Sequence, residues 1–517
     1  MDRTMRTNRH WPHRGGTFEA MMTAEPETLA VSEPGDEEVI ARVEAVSICS
    51  SDIKIMRMGP EHPLFAGAKG AIDTVLGHEA CLRVVTVGAA QAGRFHPGQR
   101  LGLQPAMVID GARSIIGMDR PGAFAQYLRL GPEALSGHVF DVPETVSAAA
   151  IALLEPYGCV EKSWRPNVRG QLLPGGRALV VSAPGADFSL ADVPEWREIT
   201  VVGDVPDFLR PRAVTRADGL DGLSGRFDDI LALGDLGAAH LERLAGLLAT
   251  GGVLLQGRTG PSPGPVSIDP ARLHYDGLSF LGTSSRDLDA ALSPDAQRFD
   301  VRPGGVALVH GAGGAMGRIH VHRLLQLPEG PRTVIATSRK GQRIDDILRD
   351  FKAIADANGR RLIAAGAEDL AGILKEHAPA GVDDAMIVAP SAAAIAQATG
   401  LLAPDGLLSL FAGFPYGQGV AVDLAAVALT GMRFTGSTGC SVEDMRNVLS
   451  RVEAGTLDLS ANIAAVAGLD TLPKALMAVS EGTVSGKIVV YPQVPDLPLT
   501  PVAGWSAEDE HGLTGGG

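Results

Sequence analysis

The sequence predicts an α/β protein: a β-rich first domain followed by doubly wound parallel sheets. Three observations lead there. Between residues 17 and 165, runs such as "EVIARVEAVSI", "ACLRVVTVG" and "AFAQYLRL" read as strands bounded by Gly and Pro. From about residue 171, Val- and Leu-rich strand-like runs alternate with helical stretches, the texture of βαβ units. The chain has 517 residues, too many for one ordinary domain.

Composition narrows the class. The formal net charge of −15 argues against a nucleic-acid or anionic-membrane partner. No apolar run approaches the ~20 residues that cross a bilayer. The start, "MDRTMRTNRHWPHRGG", is basic but has no apolar core, so it reads as a ragged leader rather than a secretory signal. Four cysteines (Cys49, Cys81, Cys159, Cys440) cannot make a disulfide framework in so long a chain and suit a reducing cytoplasm. A small-molecule substrate is the expected partner.

The chain contains an internal repeat. "LLPGGRALVVSAPG" resembles "VRPGGVALVHGAGG", placing Pro174 against Pro303, 129 residues on. "FDDILALG" resembles "VDDAMIVAP", Asp229 against Asp384, 155 on. "LLATGGVLLQGRTG" and "LLAPDGLLSLFAGF" align at an offset of 154, as do "DGLSFLGTSSRDLD" and "TGMRFTGSTGCSVED". The jump in offset means that the first copy is shorter by about two dozen residues, a loss placed after its first strand. The plan is therefore a β-rich domain over 17–170, completed by 441–495; a degenerate Rossmann-like copy over 171–298; a full Rossmann domain over 299–440; and a disordered tail, 496–517.

"VALVHGAGGAMGRIHVHRLLQ" is an apolar strand, a Gly-rich turn and a helix, the context that a dinucleotide fingerprint requires. The candidate cofactor residues are Gly311, Gly314, Ala315, Met316 and Gly317, with Ala312 where the usual first glycine would stand. The next strand ends in Ser338, Arg339 and Lys340, with Arg343 beyond, where NAD-binding chains usually carry an acidic residue. A hydroxyl and cations suit a 2′-phosphate, so NADP(H) is favoured over NAD(H). The first copy offers only "VVSAPGADF" at this turn and should not bind a dinucleotide; a scaffold or oligomer-interface role suits it better.

"SICSSDIKIM", "VLGHEACLRVV" and "LLEPYGCVE" supply Cys49, His78, Glu79 and Glu155, residue types that suit Zn²⁺. "CSSD", "GHEA" and "EPYGC", followed in order by a dinucleotide-binding domain, resemble the zinc-dependent medium-chain dehydrogenase/reductase family. The likeness is greatest to its polyol branch, the sorbitol dehydrogenase and sorbose-1-phosphate reductase-like members. It covers about 25–170 and 299–492.

The resemblance implies a GroES-like catalytic domain and one catalytic zinc. Cys49 and His78 would be ligands. Glu79 and Glu155 would complete the ligation directly or through bound water. Ser51 would relay the substrate hydroxyl proton, and Asp52 would hold a ligand histidine. Lys54 would meet a substrate phosphate or lie on the surface. "PAMVIDGARSIIGMDRPGAF" has none of the cysteines of the family's structural zinc lobe, so no structural zinc is expected. The family also implies a homo-oligomer, dimer or tetramer. The expected activity is hydride transfer between NAD(P) and a secondary alcohol or ketone, such as a polyol, sugar or sugar phosphate. The alternatives are a zinc-free quinone or enone reductase of the same fold, or a pseudo-dehydrogenase without activity.

Overall fold

A computed structural model describes residues 6–62, 65, 72–339 and 341–514. Lys340 lies outside them. The chain divides into two compact units: 1–160 with 314–323 and 439–517, and 161–313 with 324–438.

The first unit is built on an eight-stranded sheet. Strand Val39–Ser47 is central, pairing antiparallel with Glu79–Val87, Tyr127–Leu130 and Lys487–Tyr491. With neighbours on both sides, this strand is buried along most of its length, broken only by half-buried Arg42 and Glu44. Strands Ile463–Gly468 and Lys487–Tyr491 close the sheet from the far end of the sequence. Beside it, Ala106–Ile109 and Ala112–Ile115 form a hairpin whose Asp110 and Gly111 both take positive φ, the conformation that an Asp-Gly turn provides.

Both ends of the chain correct the sequence reading. From Arg6 on the start is ordered rather than ragged: Thr7–His10 pairs with Glu27–Ala30, and buried Trp11 donates its indole N–H to the Leu469 carbonyl at 2.6 Å, residues 1–5 lying outside the described residues. The end is not disordered up to Thr514. Helix Ala507–Thr514 places buried Glu510 against the backbone N–H groups of Ala148 and Ala149 and the Tyr491 hydroxyl. A carboxylate at the start of helix Ala148–Ala152 satisfies donors that the helix cannot. One such contact orders a tail whose composition reads as solvated.

The second unit holds two parallel six-stranded sheets of the same order. In chain order the first has Arg177–Ser182, Glu198–Gly203, Thr215–Ala217, Phe227–Leu233, Leu248–Gly257 and Ser279–Thr283. The second has Val306–His310, Thr333–Ser338, Arg361–Gly366, Val382–Ile387, Leu402–Leu410 and Arg433–Gly436. Their details match. Asp229 binds Arg169 and the Leu173 N–H, as Asp384 binds Arg298 and the Arg302 N–H. Both sheets carry a bulge at that aspartate.

The missing residues of the first copy are not confined to its first connection. Residues 183–197, 204–214 and 218–226 contain no α-helix. The second copy has helices Ala315–Gln326, Gln342–Ala357 and Leu370–His377 in those three places. A sequence offset fixes the total lost but not where it was lost.

Among the described residues, no helix is long and apolar enough to cross a membrane.

In the first unit Glu44 accepts from Arg83 and, at 2.6 Å, from Arg100. Burial raises its carboxyl pKa, but the two guanidinium groups outweigh burial and hold it at about 2, below the ordinary 4.5. A depressed carboxyl contributes stability above its unfolded pKa and loses it as pH falls toward its folded pKa. Urea midpoints should therefore fall between about pH 4.5 and 2, and Glu44→Gln should shrink that fall while lowering stability at neutral pH. An unchanged acid limb in Glu44→Gln would contradict this.

Candidate active site

Cys49 stands at the N-cap of helix Ser50–Met58, directly after the central strand. The Asp52 carboxylate accepts the Cys49 N–H at 2.9 Å and the Gly77 N–H at 3.4 Å. Its Oδ1 lies 3.4 Å from Nδ1 of His78. One buried carboxylate thus fixes the loop of Cys49, the loop before His78 and the imidazole itself. Burial disfavours the His78 cation, yet Asp52 and then Cys49 outweigh it and raise its pKa well above 6.5. Ser51 Oγ is 3.3 Å from His78 Nε2.

Glu79 begins the neighbouring strand and is fully buried. Its Oε2 accepts from Ser47 and from buried Lys487, whose ammonium also donates to the Ile48 carbonyl at 2.8 Å. Burial would lower the Lys487 pKa; Glu79 outweighs it and raises it. The ligand atoms of Cys49, His78 and Glu79 lie within 4.8 Å of one another. That is the scale of a zinc site, whose ligands sit about 2.0–2.3 Å from the ion. Glu79 Oε1 is buried without a hydrogen bond, so the set has capacity for a cation. A thiol, an imidazole and a carboxylate fit zinc chemically as well.

Glu155 comes from the first turn of helix Leu154–Ser163. Burial raises its pKa, and the nearby Glu79 carboxylate adds to this. It sits beside the Cys49 group but clusters with Cys159 and Cys440, accepting from the Cys159 thiol at 3.4 Å. Lys54 is exposed, on a surface groove with Ser50, Arg57 and Ser480.

The same helix touches the helix that follows the Gly-rich turn. Tyr157 OH is 2.7 Å from His322 Nδ1, on the helix that follows the Gly-rich turn. At the turn itself, Gly311 (φ +91°) and Ala312 donate N–H bonds to the Thr337 carbonyl, and a Cβ on Gly311 would strike Ala389 N at 2.8 Å. Gly314 is half-buried, Ala315 and Met316 open the helix, and Gly317 is buried in its first turn. Ser338 and Arg343 flank Gly313: a Cβ there would meet Ser338 Oγ at 2.3 Å and Arg343 Cβ at 3.0 Å. Arg339 is exposed.

Sequence reasoning missed two participants. Gly313 fell outside the glycine spacing, although a third consecutive small residue in "GAGG" was a signal. Lys487 is more than 400 residues from Glu79, but a lone lysine opening the apolar strand "KIVVY" was visible.

Residues 35–144 match the alcohol dehydrogenase GroES-like domain. The solved structure of a zinc-binding dehydrogenase from Sinorhizobium meliloti, bound to NADP, superposes with a TM-score of 0.51 at 16% identity, over 94% of this chain and 100% of that one. The fold is that of a medium-chain dehydrogenase/reductase. Two curated relatives align in part. L-threonine 3-dehydrogenase of Rhizobium johnstonii is 25% identical over 160 residues, 27% of this chain and 44% of that protein. L-sorbose 1-phosphate reductase of Klebsiella pneumoniae is 26% identical over 170 residues, 31% of this chain and 42% of that protein. The alignments thus span less than half the length of these relatives. Within this medium-chain fold, the Cys49 group lies entirely in the GroES-bearing unit.

Removing one partner of a buried ion pair strands the other and typically costs 3–5 kcal/mol. Lys487→Met should accordingly lower the unfolding free energy by about that amount, and Lys487→Arg by much less. Urea unfolding of the two variants beside the parent decides it; equal midpoints for Met and parent would contradict the pairing.

Proposed function

We propose that this protein is an NAD(P)-dependent, zinc-dependent dehydrogenase acting on a secondary alcohol or its ketone, of the polyol, sugar or sugar-phosphate class. The observation that carries the reading is the convergence of Cys49, His78 and Glu79 on one point, with Asp52 behind and Ser51 beside them. A quinone reductase needs no such set, so the zinc-free alternative is disfavoured. The partial relatives, a threonine dehydrogenase and a sorbose phosphate reductase, both act on hydroxyl or carbonyl carbons and support the class.

Cys49 and His78 would hold the metal, with Glu79 or Glu155 completing the set. When bound, zinc supplies Lewis-acid polarisation of a substrate oxygen, and the nicotinamide supplies or accepts the hydride. The chain's own groups do the rest. Asp52 occupies the Nδ1 side of His78 and so leaves Nε2 for ligation. Ser51 Oγ, 3.3 Å from that nitrogen and half-exposed, can take a hydroxyl proton and pass it outward. Lys487 neutralises Glu79 and prevents two uncompensated carboxylates, Glu79 and Glu155, from sharing one buried space.

For the nucleotide, the turn offers N–H groups at the start of a 12-residue helix, a favourable place for pyrophosphate. Ser338 and Arg343 beside Gly313 suit a 2′-phosphate, so NADP(H) is the preferred cofactor.

Activity should appear in a screen of polyols, sugars and their phosphates with NADP⁺. Ser51→Ala should reduce kcat by about 10²–10⁴-fold with nucleotide binding intact. Unchanged kcat would remove Ser51 from the proton path. Arg343→Ala should weaken NADPH binding by roughly tenfold and NADH binding far less, measured by fluorescence titration. Equal losses would contradict the 2′-phosphate assignment.

A further inference from the structure

The two sheets of the second unit meet through equivalent parts of themselves. Strand Val266–Ile268 pairs antiparallel with Val420–Val422, in the register Val266 to Val422, Ser267 to Ala421 and Ile268 to Val420. At the repeat offset of 154 residues, Val266 is the equivalent of Val420 and Ile268 of Val422. Each end of one strand therefore pairs with the equivalent of its opposite end, and Ser267 faces its own equivalent. That is the signature of a two-fold axis through the centre of the pair.

Three further contacts obey the same operator. Phe280 packs edge-on against Phe434, its equivalent, with centroids 6.2 Å apart. A Cβ on Gly282 would meet the backbone of Ala428 at 3.0 Å; one on the equivalent Gly436 would meet the Leu273 carbonyl at 2.5 Å. Each glycine thus admits the other copy's helix, Ala426–Leu429 and Pro270–Tyr275 respectively. Near the same axis Asp423 accepts from Ser262 Oγ at 2.8 Å, and the equivalent Asp269 accepts at 2.8 Å from the Gly417 N–H, one residue beyond the equivalent of Ser262. Around these contacts one apolar core runs continuously through both copies, including Val266, Ile268, Leu273, Phe280, Val420 and Phe434.

What the first copy has lost and what it has kept fall on opposite sides. The three connecting helices of its first half are absent, and with them the helix that would follow a nucleotide turn. Its second half, from Phe227 to Thr283, holds the offset of 154–155 throughout, and this half carries every contact just described. A face retained in register while a binding site is dismantled is a face that is still in use.

We propose that the degenerate copy is a built-in partner: within one chain it occupies the two-fold self-association face of the nucleotide-binding copy. It covers the edge strand Arg433–Gly436, whose outer backbone edge and Phe434 side chain would otherwise invite a second molecule. The protein is then a monomer, a single-chain pseudo-dimer, in place of the homo-oligomer that family likeness implies.

Two measurements on the full chain test this. Sedimentation equilibrium should give one species at 53.7 kDa across the accessible concentration range; a stable dimer would overturn the proposal. The double variant Ser267→Cys/Ala421→Cys, oxidised and run under non-reducing conditions, should form a disulfide within one chain at the monomer position. A covalent dimer would show that the first copy packs on another molecule, and free thiols at both positions would show that the strands do not pair; either overturns it.

Discussion

The carboxylate of Asp52 is the constraint on which the rest of the site depends. Cys49 ends one strand connection and His78 ends another, and nothing in the two strands forces their side chains to converge. Asp52 does so with hydrogen bonds from both loops and an electrostatic hold on the imidazole. Being fully buried, it acts in a medium where such interactions are strong and where leaving any of them unmade is costly. The sheet supplies the platform, and Lys487 supplies a buried counter-charge to Glu79. That lysine arrives on a strand from near the chain's end, so the Cys49 group draws on residues from both ends of the first unit.

Much of this was legible in the residues because local chemistry wrote it locally. The Cys-x-Ser-Asp element works inside a single helix turn, since Asp52 caps the very residue three positions before it. His78 and Glu79 are adjacent and alternate sides of a strand start, so one reaches Asp52 and the other Lys487. The Gly-rich turn announced itself because a strand, a turn and a helix are contiguous. Gly313 was passed over because spacing rules count glycines and do not see which one lies against Ser338 and Arg343.

Long-range closures were not legible. Trp11, Lys487 and Glu510 each act on residues hundreds of positions away, and each lies in a segment whose composition reads as leader, strand or tail. A single buried hydrogen bond or ion pair orders such a segment, and composition averages over it. The repeat was visible as an offset, but the offset could say neither that three helices were lost in succession nor that the preserved halves face each other. Only the antiparallel register of Val266–Ile268 with Val420–Val422 displays the two-fold relation.

A catalytic metal held by Cys49 and His78 is the central proposal. The most direct test is the zinc content of the freshly purified protein, measured by plasma mass spectrometry beside Cys49→Ser. About one zinc per chain is expected in the parent, the stoichiometry of a single catalytic site, with its loss in the variant. A parent protein free of zinc, or a variant that keeps its zinc, would contradict it.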